Sequence, residues 1–470
     1  MTATEARKPS YLSARQRLAL IAGKLVGAAA RLTGSGGGAL PGLVVDVLSP
    51  GILVSLARCC SMGVIVISGT NGKTTTSRMV AAILVENGIR TIHNRTGSNL
   101  TRGHLSAFAG AADWTGRINA DCALLETDEA YVPQLLEAFV PRILLLHNLF
   151  RDQLDRHGEV DMVVAKWSKA LNRMPVKPVM TLVNADDPNL TYLAEQSGIP
   201  YKAYGIDDVS LHDPVASTIS DAYFSPASHL PLSYQAYFLA HLGLYSDPEG
   251  AFRRPKRTVS ARSVSKDKDG LGQILTVDFG EQMTEMRLKL PGISTVYNAL
   301  AAFLVAQELG LPAKLSVKAL QEFKTAFGRM ERLKAGDHEL VVCLVKNPAA
   351  AGEAFRIIAE DGSDADIAFI DNDDFADGRD VSWYFDIPVR LDQLAKKRFF
   401  VSGSRSLDLA VWIKYAGVSS QPIAQLDDWI SSREIEKPGG RSYLLCTYTA
   451  LLELQKFLER LNLKAPYYVE

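Results

Sequence analysis

Short apolar runs and helically spaced apolar positions alternate along the first half of the chain. The run at 64–67 consists of β-branched residues, which is typical of a strand buried on both faces of a parallel sheet. Residues 75–87 instead repeat apolar side chains at helical spacing. The same criteria predict strands at 123–125, 142–146 and 179–183, and helices at 132–138 and 162–173. Strands that alternate with helices predict an α/β fold with a parallel sheet.

The pattern changes twice downstream. Residues 205–290 are rich in Ser, Pro, Asp and aromatic residues, and are predicted to form an inserted, ribbon-like subdomain. Helices resume at 297–310 and 317–323, and a second series of strands is predicted at 340–345, 367–370, 399–401 and 443–446. We therefore expect an N-terminal helical segment (1–60), a central domain (61–334) that carries the insertion (205–290), and a C-terminal α/β domain (335–470).

Charge and cysteine content exclude several classes of protein. The 470 residues carry 51 Lys and Arg against 52 Asp and Glu, and the net charge of −1 provides no global field for nucleic acid or an anionic membrane. Five cysteines, an odd number without a C-x-x-C pair, argue against a disulfide scaffold and a cysteine-rich zinc site. We expect a cytoplasmic protein that binds no nucleic acid and handles charged ligands at a local site.

Residues 18–30 are apolar enough to resemble a short signal segment. Lys24 interrupts them, and Arg15, Arg17 and Arg31 lie on either side. The chain has no stretch near the roughly 18 apolar residues of a membrane span. The segment is therefore predicted to be an amphipathic helix, and we expect neither secretion nor a transmembrane helix.

A glycine-containing turn links the strand at 64–67 to the helix at 75–87. Its sequence is Gly69-Thr70-Asn71-Gly72-Lys73-Thr74-Thr75. Backbone N–H groups in such a turn converge on phosphate oxygens, and the helix N-terminus adds its positive end. We expect Lys73 to neutralise phosphate charge and Thr74 to bind Mg²⁺. The general phosphate-loop pattern is not fully met, because Ile67 stands where its first glycine would be. An incidental glycine turn is the alternative.

Candidate metal ligands follow the next two predicted strands. Glu126 ends an apolar strand and is expected to bind Mg²⁺. Asp128 and Glu129 come directly after it, and for each a solvated acidic loop is an equal alternative. His157 lies in the loop after the strand at 142–146 and is a candidate metal ligand or charge stabiliser, although a lone loop histidine is usually inert.

These blocks and three further ones have the order of motifs in the Mur ligase family. The further blocks are Asn184-Ala185-Asp186-Asp187-Pro188, Tyr297-Asn298-Ala299-Leu300-Ala301-Ala302 and Phe327-Gly328-Arg329-Met330-Glu331-Arg332. The resemblance implies a Mur ligase-like central phosphate-loop ATPase domain, with ATP and Mg²⁺ bound by residues 69–75 and Glu126. It implies that Asn184 and Asp187 lie near the nucleotide, Asn298 near adenine, and Arg329 at ribose or phosphate.

Lys166 resembles the carbamylated lysine that helps hold a second Mg²⁺ in several Mur ligases. Its surroundings, Ala165-Lys166-Trp167, lie in the helix predicted at 162–173. The alternative is an ordinary surface lysine.

Two blocks near the C-terminus resemble the MurT family of Mur-type ligases. They are Leu344-Val345-Lys346-Asn347-Pro348-Ala349 and the segment 371–383, and the segments 39–42 and 94–100 also fit that family. The resemblance implies an ATP-dependent synthetase that pairs with a GatD-type glutaminase as a heterodimer. Such a complex amidates the α-carboxyl of D-glutamate in the stem peptide of lipid II, through an acyl phosphate, to D-isoglutamine.

Asp380 has two interpretations. In the MurT family an aspartate of this block orients the partner's catalytic histidine as the third member of a triad. The alternative is a structural turn, because Asp377-Gly378 is strong turn chemistry and residues 381–384 have a strand-like pattern.

The insertion departs from the family pattern. Many MurT proteins carry a four-cysteine zinc ribbon there, but the four positions are Ser225, Ser228, Asp247 and Gly250 in this chain. Because zinc prefers thiolate and imidazole ligands, we predict no structural zinc. Aromatic residues would then hold the insertion together, among them Tyr234, Tyr237, Phe238 and Tyr245.

Two other functions stay open on the sequence. One is a conventional Mur or folylpolyglutamate-type ligase that adds an amino acid, from which the C-terminal blocks distinguish this chain. The other is a nucleotide-binding scaffold without activity, against which the joint presence of Lys73, Thr74, Glu126, Asn298 and Arg329 argues. The basic run Arg253-Arg254-Pro255-Lys256-Arg257 is expected to be a solvated loop, with contact to acidic head groups as the alternative.

Overall fold

The computed structural model describes residues 12–32, 38–95, 98–152, 160–174, 176–268, 271–325, 328–374, 376–388, 394, 396–461 and 463. The strands before residue 300 are β1 (Val64–Ser68), β2 (Thr91–His93), β3 (Cys122–Glu126), β4 (Ile143–Leu146), β5 (Met180–Asn184), β6 (Tyr201–Ile206), β7 (Ser233–Leu239), β8 (Leu242–Ser246), β9 (Val259–Lys266), β10 (Gln273–Asp278) and β11 (Met283–Leu288).

All of these strands except β7 and β8 belong to one sheet. The nine strands have the order β11-β10-β9-β6-β5-β4-β1-β3-β2, and the pairs from β9 to β2 are parallel. The α/β class and the strands predicted at 64–67, 123–125, 142–146 and 179–183 are confirmed, with small differences at their ends.

Helices cover both faces of this sheet. They are α1 (Ala14–Leu32), α2 (Leu40–Leu48), α3 (Leu53–Ala57), α4 (Lys73–Glu86), α5 (Thr101–Ala111), α6 (Val132–Ala138), α7 (Val160–Arg173), α8 (Pro188–Ser197), α9 (Ile293–Glu308) and α10 (Ala313–Glu322). In β1, Ile65 and Ile67 pack into the layer that contains α4 and α9, and Val64 and Val66 pack into the opposite layer. Every β1 residue is buried, which explains why the strand appears as a continuous apolar run.

The N-terminal helices α1 and α2 form an antiparallel pair on α5. Arg15 of α1 donates to the Leu48 carbonyl at 2.8 Å, so the start of α1 lies beside the end of α2. At Gly23 an added Cβ would lie 2.5 Å from Val45 and 3.2 Å from Ala109, so a small residue is needed where α1 meets α2 and α5. The predicted helix over 18–30 is confirmed. Among the described residues, no helix is long and apolar enough to cross a bilayer.

Residues 205–290 divide between the sheet and a separate hairpin. Strands β7 and β8 pair with each other, near the short 3-10 turns Val209–Leu211 and Ala216–Ile219. Strands β9, β10 and β11 instead extend the large sheet, with β10 antiparallel to both neighbours. The strands from β9 onwards therefore belong to the large sheet, because β9 pairs with β6, and the bounds 205–290 of an inserted subdomain stay a prediction.

The basic run at 253–257 is only partly the solvated loop expected from the sequence, since Arg253 and Lys256 are exposed and the two other arginines are held by acids. The Arg254 side chain is 7% exposed, forms an ion pair with Asp186 and lies 2.7 Å from Asp207, which also pairs with Arg257 at 2.7 Å. Asp186 is fully buried and also accepts from the Tyr297 hydroxyl at 2.7 Å. The run is held because a buried carboxylate requires opposite charge nearby.

The second sheet has six strands and follows the first. Its strands are β12 (Arg329–Ala335), β13 (His338–Leu344), β14 (Asp366–Ile370), β15 (Arg398–Ser402), β16 (Ser420–Pro422) and β17 (Arg441–Cys446), in the order β12-β13-β17-β14-β15-β16. Its helices are α11 (Pro348–Glu360), α12 (Ser406–Tyr415), α13 (Leu426–Glu436) and α14 (Tyr448–Arg460). The predicted domain boundary at 334/335 stays a prediction, and β12 begins before it.

Replacing Arg254 by Met should lower the free energy of unfolding by about 3–5 kcal/mol, because it leaves the Asp186 carboxylate buried without its counter-ion. The measurement is urea-induced unfolding of the full chain. Arg253→Met is the matched control, since Arg253 is exposed in the same run, and its effect should stay within about 0.5 kcal/mol. Equal losses in the two variants would contradict the role given to Arg254.

Candidate active site

The turn between β1 and α4 is held against the end of β4 by close backbone contacts. Thr70 N–H donates to the Asn148 carbonyl at 2.9 Å, and Asn71 N–H donates to the Asn148 side chain at 2.9 Å. Gly72 has φ +81°, and an added Cβ would lie 2.3 Å from Asn298 Oδ1 and 2.7 Å from His147 Nε2. Glycine is therefore required at this position both for conformation and for space.

Lys73 is buried and paired with an acid. Its ammonium lies 2.7 Å from Glu129 and also donates to the Gly69 and Thr70 carbonyls. Burial by itself lowers the pKa of Lys73, but the carboxylate of Glu129 outweighs burial and the pKa is raised. Burial by itself raises the pKa of Glu129, but the positive charge of Lys73 has the larger opposite effect, and the pKa of Glu129 is lowered. Both groups are therefore charged, and Glu129 is not part of a solvated acidic loop.

Thr74 and Glu126 meet at the carboxyl end of β3. The Thr74 hydroxyl donates to Glu126 Oε1 at 3.0 Å. Burial raises the pKa of Glu126 above its ordinary value, while the charges of Lys73 and Arg329 act in the opposite direction. The Glu126 backbone is held by Asn94, which donates to its carbonyl at 2.9 Å and accepts from its N–H at 2.9 Å. The half-buried Thr74 hydroxyl and the buried Glu126 carboxylate together provide oxygen ligands of the kind that Mg²⁺ takes.

His147 is a site residue that the sequence did not single out. It is fully buried, with Nε2 2.7 Å from Asn298 Oδ1 and Nδ1 2.6 Å from the Tyr204 hydroxyl. Burial lowers its pKa to about 4, so the ring is neutral near pH 7. Asn298 also accepts from Thr76 at 3.0 Å. The available signal was the position of His147 directly after an apolar strand, where side chains reach the carboxyl edge of a parallel sheet.

Asn298 and Arg329 line one cavity with the phosphate loop, whereas Asn184 and Asp187 do not. Asn71, Gly72, Thr75 and His147 are among the other lining residues. Asn184 accepts from the Asp186 N–H at 3.0 Å and is buried at the end of β5.

Asp187 caps the first turn of α8. It accepts from Asn189 N–H at 3.0 Å and Leu190 N–H at 3.2 Å, and its other oxygen accepts from Leu149 N–H at 3.0 Å. These contacts hold the chain after β4 in place. Nucleotide contact by Asn184 and Asp187 stays a prediction.

The second sheet contributes two further residues that the sequence did not single out as site residues. Asn347 and Asn71 exchange side-chain hydrogen bonds at 3.0 and 3.3 Å, and Lys346 forms an ion pair with Asp152. Asn347 also caps α11 by accepting from the Ala350 N–H at 3.0 Å. The phosphate loop is thereby joined to the first turn of α11. Spacing in the sequence indicates neither contact, since hundreds of residues separate the partners.

Asp380 is exposed in a cavity that it shares with Lys346 and Asn347. Its carboxylate accepts from the Ser382 N–H at 2.8 Å. Asp377 differs, because it is half-buried and accepts from the Thr449 N–H at 2.8 Å.

The strand-like segment 381–384 is a 3-10 turn, Ser382–Asp386, which corrects that expectation. Its Tyr384 side chain is buried in the core of the second sheet and donates to Asp371.

Two predicted residues are not brought to the loop by the described structure. His157 lies outside the described residues. Lys166 is exposed on α7, while the neighbouring Trp167 is buried and donates to the Glu129 carbonyl at 2.8 Å. The carbamylation of Lys166 stays a prediction.

The positions at which many MurT proteins carry zinc-binding cysteines have different surroundings in this chain. The Ser225 hydroxyl accepts from the Ala227 and Ser228 N–H groups at 3.2 and 3.1 Å, and Asp247 is buried. Phe238 and Tyr245 are buried nearby, and the Tyr234 and Tyr237 rings stack at 4.1 Å. Within the described part of the chain, no three His, Cys, Asp or Glu side chains group as a metal site. The lack of zinc stays a prediction.

Family models and solved structures match this arrangement. The Mur ligase middle domain matches residues 67–227, and the MurT ligase C-terminal family matches residues 344–451. A pseudomurein peptide ligase type C from Methanothermus fervidus superimposes with TM-score 0.64 at 21% identity, over 85% of this chain and 78% of that one. MurF from Thermotoga maritima in complex with ADP gives TM-score 0.63 at 13% identity, over 90% and 85%. Fold and site together define a ligase of the Mur type.

Similar curated proteins identify the family of this chain among the Mur-type ligases. The lipid II isoglutaminyl synthase (glutamine-hydrolyzing) subunit MurT of Staphylococcus aureus is 30% identical over 95% of this chain and 98% of its own length. Its counterpart in Streptococcus pneumoniae is 27% identical over 90% and 92%. By contrast, a UDP-N-acetylmuramate–L-alanine ligase of Aquifex aeolicus matches 57% of this chain and 46% of its own length. The chain belongs to the MurT family.

Gly72→Ala should destabilise the protein more than Gly88→Ala. Both glycines have positive φ, which costs about 1–2 kcal/mol with a side chain. Only at Gly72 would the new Cβ meet Asn298 and His147, which adds about 1–3 kcal/mol, whereas nothing lies within 4 Å at Gly88. Urea-induced unfolding of the two variants measures the difference, and equal losses would contradict the close approach described here.

Proposed function

We propose that this chain is the ATP-dependent synthetase subunit of a glutamine amidotransferase. In a heterodimer with a GatD-type glutaminase, it amidates the α-carboxyl of D-glutamate in the lipid II stem peptide to D-isoglutamine. Two MurT relatives carry the lipid II isoglutaminyl synthase name along nearly their whole length, which supports the proposal. One observation of the structure carries it further, namely that Asn347, which is hydrogen-bonded to Asn71 of the phosphate loop, lines the same cavity as Asp380.

That cavity connects two parts of the proposed reaction. Asn347 contacts Asn71 of the phosphate loop and lines the cavity together with Asp380. Arg151 and Lys346 lie on the same lining, where Arg151 is paired with Asp221 and Lys346 with Asp152. The exposed end of the cavity, at Asp380, is open to a partner that delivers ammonia.

The residues of the loop fit ATP with Mg²⁺. Gly69, Gly72 and Lys73 bring backbone N–H groups and a cation to the N-terminus of α4, where phosphates bind. Thr74 and Glu126 would hold Mg²⁺, since their oxygens lie 3.0 Å apart and burial leaves Glu126 in need of a cation. When bound, Mg²⁺ would offset the negative charge of the phosphates. Asn298 and Arg329, on the cavity beside the loop, are the candidates for contact with the nucleoside.

The chemistry that we propose has two steps. A carboxylate is a poor electrophile, so one of its oxygens first attacks the γ-phosphorus of ATP, and the bond to the β-phosphate oxygen breaks to release ADP. Lys73 stabilises the negative charge that develops on the phosphates. Ammonia then attacks the acyl carbon of the resulting acyl phosphate. Inorganic phosphate leaves, ammonia loses a proton to solvent, and the amide remains.

An apolar surface beside Asp380 supports the partner part of the proposal. Leu407, Val411 and Tyr415 are exposed on α12 at intervals of one helical turn, and Phe385 is exposed on the 3-10 turn Ser382–Asp386 that α12 contacts. Such exposed apolar side chains are typical of protein interfaces. A glutaminase docked there would have its active site next to Asp380.

With a GatD-type glutaminase, ATP, Mg²⁺ and glutamine, the chain should convert a D-glutamate-containing lipid-linked precursor to its amide. Mass spectrometry detects the exchange of hydroxyl for amino group. Omitting the glutaminase, chelating Mg²⁺, or replacing Lys73 by Met should each abolish the glutamine-dependent product. ATP-driven addition of an amino acid without amidation would instead indicate a conventional Mur-type ligase.

Asp380→Asn should reduce glutamine-dependent amidation by about 10²–10⁴-fold, because a neutral amide no longer stabilises the charged histidine of the partner. Turnover with free ammonia should be unchanged. Asp374→Asn is the matched control, an exposed carboxylate of the same segment, and should retain activity with both nitrogen sources. Equal losses with glutamine and with ammonia would exclude the triad role.

A further inference from the structure

The N-terminal helices carry an apolar surface that faces away from the protein. Six large apolar side chains are exposed on α1 and α2, and we call them the α1–α2 face: Leu18, Leu25, Leu32, Leu40, Val47 and Leu48. Leu32 is 89% exposed and Leu18 65% exposed, so these are not side chains at the margin of a core. An apolar surface of this kind marks a site of interaction in a water-soluble chain.

The spacing of these residues places them in two rows. Leu18, Leu25 and Leu32 recur every seven residues on α1, and Leu40 and Val47 have the same spacing on α2. Positions seven apart lie on nearly the same side of a helix. The opposite sides of both helices face α5, where Gly23 approaches Ala109, and Gly42 approaches the Arg102 carbonyl. The two rows therefore lie side by side on the outer surface of an antiparallel helix pair.

The charge around the α1–α2 face is positive. Helix α1 contains Arg15, Arg17, Lys24 and Arg31 and no acid, and α2 contains the single acid Asp46. The whole chain has a net charge of −1, so this excess of cations is local.

Trp114 borders the α1–α2 face. Its ring is exposed, and the Lys24 ammonium lies 5.3 Å from the ring centroid. Leucines and basic residues on one helical surface, with an exposed tryptophan in a neighbouring turn, resemble the composition of helices that lie in the head-group region of an anionic bilayer. The complementary partner is therefore a surface that is apolar inside and negatively charged at its boundary.

The helix pair packs on α5, and α5 contacts the edge strand β2 of the sheet that carries the phosphate loop. The first turn of α2 packs on the first half of α5, where Gly42 N–H donates to the Ser106 hydroxyl at 2.8 Å. The segment just before α5 reaches the site, since Asn99 accepts from the Asp128 N–H at 3.1 Å and Asn94 holds Glu126. A bilayer against the α1–α2 face would therefore lie close to the candidate active site.

We propose that the α1–α2 face docks this protein on an anionic lipid bilayer, with the apolar rows in the head-group region and the candidate active site at the membrane surface. Docking itself does not depend on the proposed function. Its use, to bring the active site to a substrate that is anchored by a lipid, rests on that function.

The test is sedimentation of the full chain with vesicles of phosphatidylcholine, with or without phosphatidylglycerol. The wild-type chain should bind vesicles that contain phosphatidylglycerol, and added salt should weaken binding because it screens the basic residues. The double variant Leu25→Gln/Leu32→Gln should bind roughly tenfold more weakly, because two apolar side chains are lost from the bilayer contact. Its unfolding free energy should be unchanged, since both side chains are exposed.

Leu407→Gln/Val411→Gln is the matched control, a pair of exposed apolar side chains on α12 that should not affect vesicle binding. Amidation assays separate docking from function. The double variant Leu25→Gln/Leu32→Gln, called the α1–α2 variant, should amidate a water-soluble D-glutamate peptide as fast as the wild type does. Its rate of amidation of the lipid-linked substrate in vesicles should be lower. If the wild type binds vesicles but amidates neither substrate, the proposed function fails and docking stands.

Three results would overturn docking. The first is that the wild type does not bind anionic vesicles, and the second is that the α1–α2 variant binds them as well as the wild type does. The third is that the α1–α2 variant still binds vesicles but loses self-association or the complex with the glutaminase. Light scattering of the free chain detects self-association, and light scattering of the mixture with the glutaminase detects the complex.

Discussion

Burying a cation beneath the phosphate loop is the constraint on which the rest of the site depends. An ammonium removed from water requires an opposite charge beside it, and Glu129 supplies that charge 2.7 Å from Lys73. Glu129 is itself held in place, because Trp167 of α7 donates to its carbonyl at 2.8 Å. The loop, the turn that carries Glu129, and α7 therefore act as one unit, and the position of the Lys73 ammonium depends on all three.

The same loop is the joint between the two sheets. Asn71 takes part in hydrogen bonds with Asn148 of the first sheet and with Asn347 at the start of α11. Lys346 and Asp152 add an ion pair across the same boundary. The residues of the phosphate loop and the residues that begin α11 are therefore neighbours, and Asn347 among them also lines the cavity that contains Asp380.

Two buried acids, Asp186 and Asp366, are fixed points of this molecule, and both are compensated by arginine. Asp186 holds the strand edge of the first sheet through Arg254, and Asp366 in the second sheet pairs with Arg398 at 2.7 Å and Arg433 at 2.9 Å. The bidentate geometry of arginine suits such sites better than lysine. By contrast, helix α1 contains no acid to balance its cations, and Arg15 and Lys24 donate to backbone carbonyls.

The sequence by itself determined what depends on neighbours in the chain. A strand buried on both faces must be apolar throughout, so β1, β3, β4 and β5 were predictable from short runs. The phosphate loop was predictable as well, since its glycines, lysine and threonine act within one turn between a strand and a helix.

Tertiary structure decided what depends on residues far apart. Glu126 and Glu129 both lie at the end of the same strand. Only the folded chain shows that Glu126 contacts Thr74 and that Glu129 pairs with Lys73. Likewise, no local feature of β9 to β11 indicates that these strands extend the sheet from β6. No local feature of Arg254 indicates that it pairs with Asp186. Local periodicity defines an element and its buried side. Which element or charge packs against that side depends on the free energy of the whole folded arrangement. Local patterns in the sequence do not reveal that free energy.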